Sequence, residues 1–279
     1  MGYSDEVGAY VAKADFLFEG LLQALAPLYK EEHGIEQEAT IPLFTALHST
    51  SESILILLYN QAIFDADILL RTVMEGTIKY CYLMMGTPEE RNDKYIEYKE
   101  KLTDLDKLSD HRKAKETIRI LQEFSTNSTK PFEYSILDEN ELKRLQEIYP
   151  HKVRDEIKRK WNYQALLRAI AQNSSEYEAQ IGTLSTYSFT SHFCHCDWTG
   201  VSTRQAQIDD SLTGQSEIFD IGHAVRIIAN ALSMYIFRVA EYMRCNQFKS
   251  QKAVELSLET LDFACALGER GNEIITENS

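Results

Sequence analysis

Residues 218–242 read IFDIGHAVRIIANALSMYIFRVAEY. Within them Ile218, Ile221, Val225, Ile228, Leu232, Tyr235, Val239 and Tyr242 follow at alternating steps of three and four. This is the period of one apolar stripe along an α-helix, held for about seven turns. A half-buried strand would alternate every second residue instead. The stretch therefore sets the class: helices packed on helices.

The same rhythm continues on both sides. Downstream, Val254, Leu258, Leu261 and Cys265 predict a last helix. Near the start, Val7, Val11, Ala14, Phe18, Leu21, Leu25 and Leu28 predict another, with Ser4 as candidate N-cap and Asp5 and Glu6 favourable in the first turn. Its end is expected near Gly34, with Pro27 kinking it or ending it early. A second helix is expected to open at Pro42 and run through Leu47, Ile54 and Leu58. A third covers Asp65 to Met85 and stops at Gly86-Thr87-Pro88.

Residues 88–124 are a charged helix or helix pair, and 125–131 read as a loop. Helical pieces are expected over 138–148, 152–171 and 175–196, with 200–215, bearing Gly200 and Gly214, as a polar connection. Strand alternation is absent. The expected fold is all-α: a single-domain bundle of seven or more helices spanning 1–279, with 88–160 a peripheral helical insertion.

Composition narrows the function. The 279 residues are 44% apolar, enough to bury a substantial core. Lys plus Arg number 29 against 43 Asp plus Glu, a net charge of −14, which repels a nucleic-acid backbone at long range. Residues 88–160 are charge-balanced, 17 of each sign, and Lys152, Arg154, Lys158, Arg159 and Lys160 form the densest basic segment. The longest unbroken apolar run, Ile54 to Tyr59, is far shorter than a membrane span, so no membrane association is expected. The acidic start lacks the basic n-region of a secretory signal, and the expected location is cytoplasmic. The five cysteines are scattered; only His192, Cys194, His195 and Cys196 cluster, without a second group at zinc-finger spacing. No cofactor or metal is expected.

Nucleotide loops, a nucleophile elbow and His-Glu-x-x-His are all missing. Asp110-His111 reads as a solvated surface pair. Two places carry polar groups on otherwise apolar helices. In the third helix, Arg71 and Glu75 share a stripe with Phe64, Ile68, Ile78 and Tyr82, and two readings stand: a polar site, or an exposed ladder Asp67-Arg71-Glu75-Lys79 spaced by four. In the segment Tyr187 to His195, Ser188, Ser191 and His195 share one face, bordered by Tyr187 and His192, while Phe189 and Phe193 take the other.

An Arg-x3-Glu helix, Trp161, a Tyr-x3-Ser-x3-His segment and a long amphipathic helix together resemble an uncharacterised bacterial all-helical family of unknown function, loosely HEPN-like (higher eukaryotes and prokaryotes nucleotide-binding). The resemblance runs from about residue 45 to 245 and rests on Arg71, Glu75, Tyr187, Ser191 and His195. It implies either a metal-independent endoribonuclease of the toxin or defence type, or a non-catalytic interaction or nucleotide-binding protein. The usual Arg-x4-6-His signature is met only by Arg144 to His151, interrupted by Pro150.

As an enzyme, His195 would act as general acid or base, Arg71 as the cation for phosphorane charge, and Glu75 as their orienter. Tyr187, Ser191 and His192 would hold the substrate, RNA or a nucleotide. In the other reading the same residues form a structural polar network. The resemblance also implies a homodimer, with the 218–242 helix, widened by Phe219, Ile227 and Met234, as its candidate interface, and a cognate antitoxin or defence partner.

Overall fold

The computed structural model describes residues 2–26, 37–124, 129–213 and 217–277. Among them every regular element is helical. The all-α reading holds. Two compact units emerge, one of residues 1–85 and 166–279, the other of residues 86–165.

The first unit contains α1 (Tyr3–Leu25), α2 (Gln37–Tyr59), α3 (Ile63–Met84), a 3-10 stretch (Ser175–Gly182), α10 (Thr183–His195), α11 (Trp198–Thr213), α12 (Glu217–Cys245) and α13 (Gln251–Glu277). The second holds α4 (Pro88–Ile96), a π-helical stretch (Glu97–Lys101), α5 (Leu102–Glu123), α6 (Lys130–Glu133), α7 (Glu139–Ile148) and α8 (His151–Lys160). The boundary falls inside α9 (Tyr163–Asn173).

Helix α12 is the axis of the first unit and packs on α1, α2, α3 and α13. Its predicted stripe is buried from Ile221 to Tyr242. Ala224, Ile227, Ala231 and Met234 on its other faces are buried too. The width beyond one seam is thus filled within the chain, leaving Phe219 55% exposed. The packed aromatics Phe18, Phe44, Tyr80 and Tyr235 sit among these helices. Burial pushes the His48 imidazole in this core below its ordinary value, against the charge of Glu52. It also pushes the Cys81 thiol up to about 12, which keeps it neutral and inert.

Several boundaries differ from expectation. Helix α1 begins at Tyr3 rather than after Ser4, because the Glu217 carboxylate, 2.7 Å away, accepts the Tyr3 N–H. Helix α2 begins at Gln37, and Pro42 lies inside it on an exposed face where water reaches the interrupted ladder. The α3 stop behaves as read: Gly86 takes φ 94°, and Thr87 with Glu90 forms a capping box that opens α4. Lys130 and Pro131 open the short α6 rather than ending a loop. The 175–196 segment starts as 3-10 and becomes α only at Thr183.

The largest miss is α11, expected as a polar connection. Its start is built by Asp197, whose carboxylate accepts the Gly200 N–H at 3.1 Å. Gly200 is required there, since a Cβ would sit 2.4 Å from the His192 carbonyl oxygen. His111 is also not solvated. It is buried and accepts the Leu137 N–H at 3.0 Å, a bond that ties α5 to the chain leading into α7, while Asp110 alone stays exposed beside Lys113. Pro27, Gly34, the 125–128 part of the loop and Gly214 lie outside the described residues.

Candidate functional site

Helix α3 carries Asp67, Arg71, Glu75 and Lys79 at steps of four, and packing divides them between two neighbours. Asp67 is fully buried and turns toward α12. There His223 and Arg226, three residues apart, share one face. His223 Nε2 lies 2.5 Å from Asp67 Oδ2, and Arg226 Nη2 donates to both carboxylate oxygens at 2.9 and 2.8 Å. A buried carboxylate is tolerable only with such partners.

Asp67 thereby fixes two side chains that line a cleft of about 850 Å³. The His223 ring meets Phe64 edge-on at 5.4 Å. Its Nδ1, and the Nε and Nη1 of Arg226, make no hydrogen bond among the described residues. Phe64 of α3, Phe189 of α10 and Phe219 of α12 supply apolar edges to the cleft. Asp220, which accepts a hydrogen bond from Gln207 of α11, supplies a carboxylate. On the α13 wall, Gly268 leaves open space, with no atom beyond its own stretch of helix within 4 Å of where its Cβ would be. The arrangement offers flat apolar contacts, donors for an anionic or carbonyl acceptor, and an acceptor for hydroxyls.

The other half of the α3 series meets α10. Arg71 Nη2 donates to the Tyr187 hydroxyl at 3.0 Å, and its guanidinium carbon lies 4.2 Å over the Tyr187 ring. The same hydroxyl lies 3.3 Å from Glu75 Oε2, while Lys79 donates to Glu75 Oε1 at 2.8 Å. Burial works to raise Glu75. Hydrogen bonds from Lys79 and Tyr187 and the charges of Lys79 and Arg71 outweigh it, holding the carboxyl below its ordinary value. Burial and the Glu75 charge push the Tyr187 phenol up, so it stays protonated as the bridge. Arg71 Nη1 is buried with no hydrogen-bond partner among the described residues. Neither sequence reading of the ladder fits whole: Lys79–Glu75 is an i,i+4 pair, but Asp67 has left the ladder for α12.

Of the site residues expected from sequence, Arg71, Glu75 and Tyr187 come together. His195, Ser191 and His192 do not join them by any hydrogen bond. Register explains why. Phe64 packs on Phe193 at 4.7 Å while Arg71 meets Tyr187, so α3 and α10 run antiparallel. His195 lies eight residues past Tyr187, about 12 Å along the helix, and is exposed. His192 pairs instead with Asp197 at 2.6 Å, beside the α11 cap. Sequence reasoning missed Asp67, His223 and Arg226. The available signal was two polar residues one turn apart on a long helix otherwise committed to the core.

The fold and cleft define an all-α protein with a ligand-sized pocket in its bundle. Within that class, the chain belongs to a family of unknown function, DUF5677, which matches residues 37–211. The match includes Asp67, Arg71, Glu75 and Tyr187 but not the α12 and α13 walls of the cleft. No curated protein and no solved structure matches the chain.

Proposed function

We propose that the chain is a ligand-binding helical protein whose cleft takes a mononucleotide. The observation that carries this reading is Arg226: anchored by a fully buried Asp67, it lines the cleft with two donor nitrogens unused among the described residues. Phosphate or carbonyl oxygens suit those donors. The phenylalanine edges suit a base, and Asp220 suits sugar hydroxyls. The Arg71–Tyr187–Glu75–Lys79 group then pins α10, and with it one wall of the cleft, to α3.

The test is calorimetric titration of the four ribonucleoside monophosphates into the full chain. At least one should bind, and Arg226→Gln should weaken it by tenfold or more, the loss of one charge-assisted contact. Gly268→Leu, which fills the open space of the α13 wall, should abolish binding. Absence of binding at millimolar ligand, or binding indifferent to both variants, overturns the reading.

A second reading, metal-independent RNA cleavage by a HEPN-like protein, is favoured by one observation: Arg71 keeps a buried Nη1 with no hydrogen-bond partner among the described residues, on the helix pair that also carries His195. It requires RNA to bridge the two turns between them. It predicts that His195→Ala and Arg71→Lys each remove most cleavage of purified tRNA, and that EDTA changes nothing. Intact tRNA with wild-type protein ends it. A cytoplasmic location, a homodimer and an antitoxin or defence partner go with this second reading. Helix α2 over Glu38–Tyr59 is long and apolar enough to cross a bilayer, yet it buries Phe44, Leu47, Ile54 and Leu58 in the core.

A further inference from the structure

Between α1 and α2, three side chains come together that neither reading of function uses. His48 on α2 is 6% exposed, and Glu52 follows one turn later; Glu19 on α1 faces them. The ligand atoms of the three lie within 4.8 Å of one another. His48 Nε2 is 3.3 Å from Glu52 Oε1.

Direction of hydrogen bonding matters here. The Tyr235 hydroxyl can donate its one proton to the Phe18 carbonyl, 3.3 Å away. In that arrangement it accepts from His48 Nδ1–H, 2.9 Å away; the same contact also fits donation to Nδ1 with the ring proton on Nε2 toward Glu52, and a bound cation selects the first arrangement. A neutral ring so held presents a lone pair at Nε2. Three acceptors then converge on one point: Nε2 and two carboxylates. No lysine or arginine pairs with either carboxylate among the described residues; Gln23 alone donates to Glu19. With the ring proton on Nδ1, such a cluster is repulsive unless a cation sits in it.

We propose that Glu19, His48 and Glu52 bind one divalent zinc-class ion, bridging α1 and α2. Zinc takes imidazole and carboxylate ligands at about 2.0–2.1 Å in a tetrahedron, whose edge is about 3.3 Å. The His48–Glu52 separation already equals that edge. Tyr235, and the Phe18 carbonyl behind it, form the outer support that metal-bound histidines ordinarily have on their second nitrogen. Glu19 is exposed, so water completes the fourth position. Magnesium, which demands near-octahedral oxygen, does not suit the set.

The experiment uses the full chain, stripped with EDTA and titrated with zinc chloride by calorimetry and by thermal melting. One equivalent should bind and raise Tm, with no response to magnesium chloride. Glu52→Gln and Glu19→Gln alter surface ligands without touching the core, and each should weaken zinc at least tenfold. Cys194→Ser with Cys196→Ser, which removes the other histidine and cysteine cluster, should leave that binding unchanged. Failure of zinc to bind overturns the site. So does binding that survives both glutamine variants, or binding lost with the two cysteines. None of these outcomes depends on whether the cleft takes a nucleotide.

Discussion

Asp67→Ala is expected to lower the free energy of unfolding by about 3 kcal/mol, the low end for breaking a buried ion pair. Asp67 is fully buried, so its removal leaves a cavity and strands two donors. Arg226 and His223 keep 35% and 20% of their side chains in contact with solvent, so water recovers part of what they lose. That holds the cost near the lower bound. Urea unfolding of Asp67→Ala, Arg226→Ala and the double variant measures the coupling directly. A coupling of about 1.5–3 kcal/mol is expected. A cost under 1 kcal/mol would mean that Asp67 does not anchor the cleft wall.

Arg238→Ala should cost more, about 3–5 kcal/mol. Arg238 has no exposed surface at all, yet it sits among apolar helices. Its guanidinium donates to Thr77 Oγ1 at 2.6 Å and to Ser51 Oγ at 3.4 Å. It also lies over the rings of Tyr235 and Phe44, at 4.8 and 5.7 Å. Truncation removes a long side chain from the junction of α2, α3 and α12 and opens a large cavity. Arg238→Met refills most of that volume without a charge to desolvate, and should recover at least half of the loss. Chemical denaturation of both variants checks the pair. If Met proves as damaging as Ala, the guanidinium contacts outweigh the packing.

What the sequence could show follows from what periodicity measures. The 218–242 stripe is legible because a buried helix must repeat its apolar side every three or four residues. Arg71, Glu75 and Tyr187 are legible as polar residues on helices otherwise committed to the core, and they do meet. Asp67 is different. Spacing offers it Arg71 as a partner, but α12 brings in Arg226, 159 positions away, with better geometry. Only tertiary packing decides between them. His195 fails to reach Arg71 for a related reason: a shared stripe does not fix how far along a neighbouring helix it is read. Helix α11 escaped because its residues are mostly polar and Gly200 reads as a breaker. The Asp197 cap three residues ahead of that glycine was the counter-signal.

The cleft held by Asp67 is proposed as a ligand site. A crystal structure of the full chain grown with the tightest-binding mononucleotide tests it most directly. The base is expected among Phe64, Phe189 and Phe219, with its phosphate on the Nε or Nη1 of Arg226. A nucleotide bound elsewhere, with Arg226 holding only Asp67 and the cleft filled by solvent, would contradict it.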